Sequence, residues 1–257
     1  MDLAFPAATP AAGNDAWLKE ALKYSQIWLR ECDECHPKCR PAVDTTLPTR
    51  LLDLGPSQAG GKHFVHLCTC PARNKNNSEE ESLFRRRWKY AALSYCWGGS
   101  PNLTTTISNL KSRTKNIPWA EIPSTIQDAI TVTRRLGIRY IWVDALCIVQ
   151  SPGGDWETES SRMADVYGGA FITISAALSP DVSHGLSRRS ALLSDIDRAL
   201  GLSGNPLYRR GWALQERMLS KRNLIFGLDQ LRWTGIVYRL VRRERRVTSY
   251  RQNFNAD

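Results

Sequence analysis

The stretch RYIWVDALCIVQ, Arg139 to Gln150, is the longest strongly apolar run in the chain, and its reading decides the fold. From Ile138 to Leu146 it is nearly continuous in apolar residues, the pattern of a strand covered on both faces. Upstream, IPSTIQDAITVTRRLG (122–137) predicts a helix over 124–136. Ser124 is its expected N-cap, with Gln127 at capping-box spacing, and Ile126, Ile130 and Leu136 mark the buried stripe. Gly137 supplies the left-handed residue that closes such a helix. Before it, KYAALSYCWGG predicts a strand from Tyr90 to Tyr95 ended by Gly98 and Gly99. Downstream, DWETESSRMADVY predicts a helix over 155–167 with Asp155 as N-cap, and AFITISAAL a strand over 170–177.

The order strand, helix, strand, helix, strand implies an α/β fold: a parallel sheet with helices on both faces and right-handed crossovers. Ligands of such sheets collect beyond the carboxyl ends of the strands. Asp144 and Cys147 fall at one such end, and Ser94, Tyr95 and Trp97 at another. These residues are expected to share a rim.

Working outward, residues 1–15 read as disordered. Residues 16–86 form a small Cys/His-containing N-terminal segment. Trp17, Leu18, Leu22, Tyr24, Ile27 and Trp28 recur at helical spacing there, and PTRLLDL and KHFVHLCT read as two short strands. The main domain is expected over 87–235. The end, 236–257, reads as a basic, disordered tail. From Arg209 to Asp257 there are twelve Arg and Lys against four acids, so most of the net charge of +10 sits there. Tyr238 and Tyr250 alone flank the run RLVRRERR, too few aromatics for a nucleic-acid platform, so no nucleic-acid partner is expected.

The individual residues each carry two readings. Asp144 in an apolar strand must be paired or partly solvated, either as a carboxylate bonded to loop amides or as a ligand or catalytic group. Cys147 is a small buried hydrophobe, or a nucleophile wanting a histidine that no position between His66 and His184 supplies. Glu159 shares a helix face with Trp156 and Met163, which is odd for a helix that merely packs; the plainer reading pairs it with Arg162. Cys32, Cys35, His36 and Cys39 lie within eight residues and suggest zinc, with Cys68 and Cys70 as a second pair, or else a set of unmetallated thiols. In RRGWALQERMLS, Arg210 and Glu216 are a candidate charged pair.

At 257 residues, 42% apolar and with nine Trp, the chain can bury a substantial core. MDLAFPAATPAAGNDAW has no basic start followed by an apolar run, so no secretory signal is expected. No span crosses a membrane on this reading, and the expected location is the cytoplasm, where the seven Cys are free thiols or metal ligands.

Four stretches, YAALSYCWGG, IPSTIQDAITVTRRLGIRYIWVDALCIVQ, DWETESSRMADVYGGAFITISAA and RRGWALQERMLS, together resemble the fungal heterokaryon-incompatibility (HET) domain. They occur in the family's order over roughly Tyr90 to Ser220. Trp28-Leu29, Cys32, His36, Cys39 and LPTRLLDLG are similar to the region that often precedes such domains, a comparison in which Cys35 is extra. The resemblance implies non-self recognition and programmed cell death, with protein partners or self-association. It also implies a remote similarity to Toll/interleukin-1 receptor domains, some of which cleave NAD with a helix-borne glutamate. Carried over by position, that glutamate is Glu159; the rim reading adds Asp144 as second carboxylate and Ser94, Tyr95, Trp97, Trp156 and Arg210 as candidate ligand-binding residues. NAD is then the substrate, and zinc the metal for Cys32, His36 and Cys39. The alternative is a non-enzymatic signalling or self-association module. The chain after Gln230 matches nothing in the family, so a truncated gene product is one expectation.

Overall fold

The computed structural model describes residues 14–40, 46–55, 64–71, 84, 87–99, 102–186, 207, 216–227, 230–235, 238–243 and 246–251. Of the expected disorder over 1–15, residues 1–13 lie outside these residues while Asn14 and Asp15 are helical, and Arg210 with its neighbours to Gln215 lies outside them too.

Helix α1 (Asn14–Cys35) is followed by a single 3₁₀ turn, Pro37–Cys39, then β1 (Arg50–Asp53) and β2 (His66–Thr69). The central succession is β3 (Tyr90–Ser94), α2 (Leu110–Arg113), α3 (Ser124–Arg135), β4 (Tyr140–Trp142), α4 (Asp144–Cys147), α5 (Trp156–Ser161), α6 (Met163–Gly169) and β5 (Ile172–Ser175). Strands β6 (Arg222–Phe226), β7 (Gln230–Gly235), β8 (Tyr238–Arg243) and β9 (Arg246–Arg251) complete it. All nine form one sheet in the order β2-β1-β4-β3-β5-β6-β7-β8-β9. Among the described residues no helix is long and apolar enough to cross a membrane.

The expected parallel neighbours are present: β3 pairs in parallel with β4 and with β5, and β5 with β6. Every residue of β3, β4, β5 and β6 is buried. Because successive residues of a strand point to opposite faces, both faces of the central sheet are covered. The sheet as a whole is mixed, however. β1 joins β4 antiparallel, and β6 to β9 form an antiparallel meander. Thus β1 and β2, assigned by sequence to a separate N-terminal segment, are one flank of the same sheet. Within the expected disordered tail, Tyr238–Arg243 and Arg246–Arg251 are strands.

Three boundaries also differ from expectation. Pro123 takes the N-cap position of α3, so Ser124 is the first helical residue rather than the cap and Gln127 falls a position too late for a capping box. The Gln127 amide instead donates to Trp119 O at 2.8 Å. The strand expected over 139–145 stops at Trp142, and Asp144 opens a helical turn. The helix expected over 155–167 breaks at Arg162, whose guanidinium donates to Leu47 O at 3.0 Å and Thr49 Oγ1 at 3.1 Å. That anchorage ties the break to the chain entering β1.

The end of α3 follows its sequence. Gly137 lies at φ 73°, with Gly137 N–H on Arg134 O and Ile138 N–H on Thr133 O, the paired bonds of a Schellman closure. Gly98, at φ 70°, is under a second constraint: a Cβ there would lie 2.1 Å from Asp181 Cβ, whereas Gly137 has open space around it. Gly137→Ala therefore carries only the left-handed backbone cost, about 1–2 kcal/mol. Gly98→Ala carries that cost plus displacement of the Asp181 loop. Denaturant unfolding of the two variants should show the larger loss at Gly98; equal losses would mean that the Asp181 contact does not constrain the loop.

Candidate functional site

From β3 the chain moves to β4 on one side, and from β5 to β6 on the other. The crevice at the carboxyl ends of β3 and β5 is therefore the switch point at which open α/β sheets bind ligands. The loops there are rigidly tied. Val182 N–H donates to Trp97 O at 3.4 Å, and Gly98 lies against Asp181. Thr105 bridges in parallel to Val149, its amide donating to Ala145 O at 2.9 Å and its hydroxyl to Leu146 O at 2.7 Å.

Asp144 stands at this rim, half-buried. Its Oδ2 accepts the Trp97 indole N–H at 2.8 Å, and its Oδ1 accepts the Ala145 amide at 2.7 Å. A half-buried carboxylate that receives two N–H donors avoids the cost of standing alone in the interior. Gln150 folds back so that its side-chain amide donates to Asp144 O at 3.1 Å. Cys147 is buried; Val143 N–H points at its sulfur at 3.4 Å, and burial pushes the thiol well above its ordinary value. Its role is packing, since the thiolate that nucleophilic chemistry needs is disfavoured there.

Ser94 and Tyr95 are buried rather than rim-exposed. The Ser94 hydroxyl donates to the Glu216 carboxylate, and Tyr95 Oη accepts the Asn102 amide at 3.1 Å. Glu216 is itself buried. Sequence reasoning placed it in a pair with Arg210 and not at the rim; its role becomes visible only once the Ser94 hydroxyl at the end of β3 meets its carboxylate.

Glu159 is 3% exposed. Its Oε1 accepts the Thr49 hydroxyl and lies 3.3 Å from the Arg162 guanidinium, the plain ion pair considered from sequence. Its Oε2 is buried with no hydrogen-bond partner among the described residues. Continuing the β1–β4 register, in which Leu52 faces Ile141, sets Thr49 level with Asp144. Both carboxylates thus stand at the carboxyl end of the parallel strands, Asp144 held from the β3 side and Glu159 from the β1 side. Trp156, expected on the same face as Glu159, is 56% exposed. The break at Arg162 also moves Met163 into a separate helix. Arg162 is the cation beside Glu159.

Beneath Glu159 lie thiols. Burial pushes Cys70 up to about 12, with Cys68 and Glu159 adding to the rise and Arg50 opposing it. Burial likewise raises Cys68 to about 11. Cys32, His36 and Cys39 come together elsewhere, with ligand atoms within 4.8 Å of one another. Cys35 is exposed and outside that group; Cys68 and Cys70, both half-buried, are outside it too.

A family model described as heterokaryon incompatibility protein (HET) matches residues 90–200. The matched span begins with β3 and takes in Trp97, Asp144 and Glu159. No curated protein and no solved structure matches the chain.

Two outcomes follow from this geometry. Thr49→Val removes the hydroxyl from a buried carboxylate and should destabilise by about 1–3 kcal/mol in denaturant melts; no loss would mean that the hydroxyl does not hold Glu159. Alkylation of the native chain near pH 8, read by peptide mass mapping, should modify exposed Cys35 first and leave Cys147 untouched until unfolding.

Proposed function

We propose that the chain is a heterokaryon-incompatibility-type protein whose switch-point rim hydrolyses the nicotinamide–ribose bond of NAD, the activity suggested by the remote likeness of HET domains to Toll/interleukin-1 receptor domains. The observation that carries this reading is Asp144: a half-buried carboxylate, fixed by an indole and an amide N–H, at the carboxyl ends of parallel strands. The nicotinamide nitrogen carries positive charge in NAD and leaves as a neutral group, so the departing base needs no general acid. What the reaction needs is a negative charge beside the oxocarbenium-like centre and a base for the attacking water. Asp144 supplies the first role, with the Trp97 ring beside it. Glu159, one oxygen without a partner among the described residues, is the second carboxylate at this end of the sheet. A buried carboxylate oxygen lacking donors is costly to keep, which favours a use for it beyond packing.

Incubation of the purified chain with NAD, followed by chromatography for nicotinamide, tests the reading. The parent chain should release nicotinamide. Asp144→Asn and Glu159→Gln should each lower the rate by about a hundredfold or more, the scale of a lost electrostatic stabiliser, while melting within a few degrees of the parent. Full activity in folded Glu159→Gln removes Glu159 from the chemistry. No release by the parent chain, together with self-association in light scattering, favours the non-enzymatic signalling module.

A further inference from the structure

Three metal-seeking side chains meet where α1 ends. Cys32 and His36 are four residues apart, one turn of helix, and so lie on one face. The helix stops at Cys35, and the turn Pro37–Cys39 doubles back, with Cys39 N–H on His36 O at 3.0 Å. The two sulfurs and an imidazole nitrogen then lie within 4.8 Å of one another. Tetrahedral zinc, with bonds of about 2.3 Å to sulfur and 2.0–2.1 Å to nitrogen, sets such donors about 3.3–3.8 Å apart. Small side-chain rotations close that difference.

The surroundings suit a charged centre. Cys32 and Cys39 are buried, and so is Arg222, which pairs with Asp33 at 2.7 Å, lies over the Phe171 ring, and interacts with the Cys32 sulfur. A buried pair of thiols beside an arginine packs no better than two aliphatic side chains would. A divalent cation gives the arrangement a reason.

We propose that Cys32 Sγ, His36 and Cys39 Sγ bind one thiophilic divalent metal of the zinc class, with water in the fourth position, as a structural clamp on the end of α1. Binding releases both thiol protons, so M²⁺ and two thiols give a neutral bis-thiolate centre and two H⁺. Asp33 sits one residue after Cys32 and reaches Arg222 at the start of β6, so the clamp fastens α1 to the amino end of the parallel strands. The rim bearing Asp144 is at the opposite end, which separates this metal from the proposed chemistry.

The test uses the full chain prepared with zinc in the medium, analysed for metal, and titrated with Co²⁺ after metal removal. One equivalent of zinc is expected. Co²⁺ should give the intense visible bands of tetrahedral coordination and a near-ultraviolet charge-transfer band for two thiolates. Cys32→Ser and Cys39→Ser should each halve that band and weaken binding more than tenfold, whereas Cys35→Ser leaves both unchanged. A strong chelator should lower the Tm of the parent and of Cys35→Ser, and leave Cys39→Ser unmoved. Should the serine variants fail to fold, the thiolate count from the parent's band still decides. Absence of bound metal, equal loss in Cys35→Ser, or a mass two daltons low from a Cys32–Cys39 disulfide each overturns the proposal.

Discussion

Strand β4 lasts three residues because the Val143 carbonyl is committed at once to the amides of Leu146 and Cys147, at 3.0 and 2.7 Å. Much at the carboxyl rim depends on that early turn. It swings Asp144 out of the sheet, where a carboxylate would be orphaned, and onto the Trp97 indole. The same turn sends Cys147 inward and frees its carbonyl for the Arg50 guanidinium at 2.8 Å. Arg50 in turn pairs with Asp155, whose other oxygen accepts Val149 N–H at 2.9 Å. This accounts for Asp155 standing at the N-cap position of α5 without capping it: its carboxylate is already engaged with the loop.

The two ends of the parallel strands divide the work. At the carboxyl end, half-buried Asp144 is held by the Trp97 indole and the Ala145 amide, while Glu159 is buried against Thr49 and Arg162. At the amino end, Arg222 and the Cys32, His36 and Cys39 group lie under α1, and Lys89 lies 3.3 Å from the Phe171 ring centroid. Burial there lowers the Lys89 amine below its ordinary value.

The central α/β core was legible because its signals are local. The near-continuous apolar content of YAALS and RYIW, the helix between them and the glycine at 137 each report a short-range physical demand. What was not legible depends on distant partners. Asp144 looked like the last strand residue because the bond that ends the strand comes from the Cys147 amide, ordinary in sequence. Tyr95 looked available until Asn102 closed on its hydroxyl. Trp156 and Glu159 share a helical spacing, yet one is exposed and the other buried, because Thr49, on a different strand, claims the glutamate. The basic residues after Tyr238 suggested disorder, but alternation such as RLVRR also fits a strand once β7 offers an edge.

The place of β1 has a consequence for synthesis. It lies between β2 and β4, and β4 leaves the ribosome roughly ninety residues after β1. At about 5–20 residues per second that interval is on the order of 5–20 s. Until then the β1–β2 pair presents one unfilled hydrogen-bonding edge, and β3 has emerged without the neighbour that separates it from β1. Helix α1 waits longer still, since Asp33 meets Arg222 across 189 residues. The N-terminal third of the nascent chain is thus committed to partners not yet made, and an open strand edge of this kind is what holding chaperones bind.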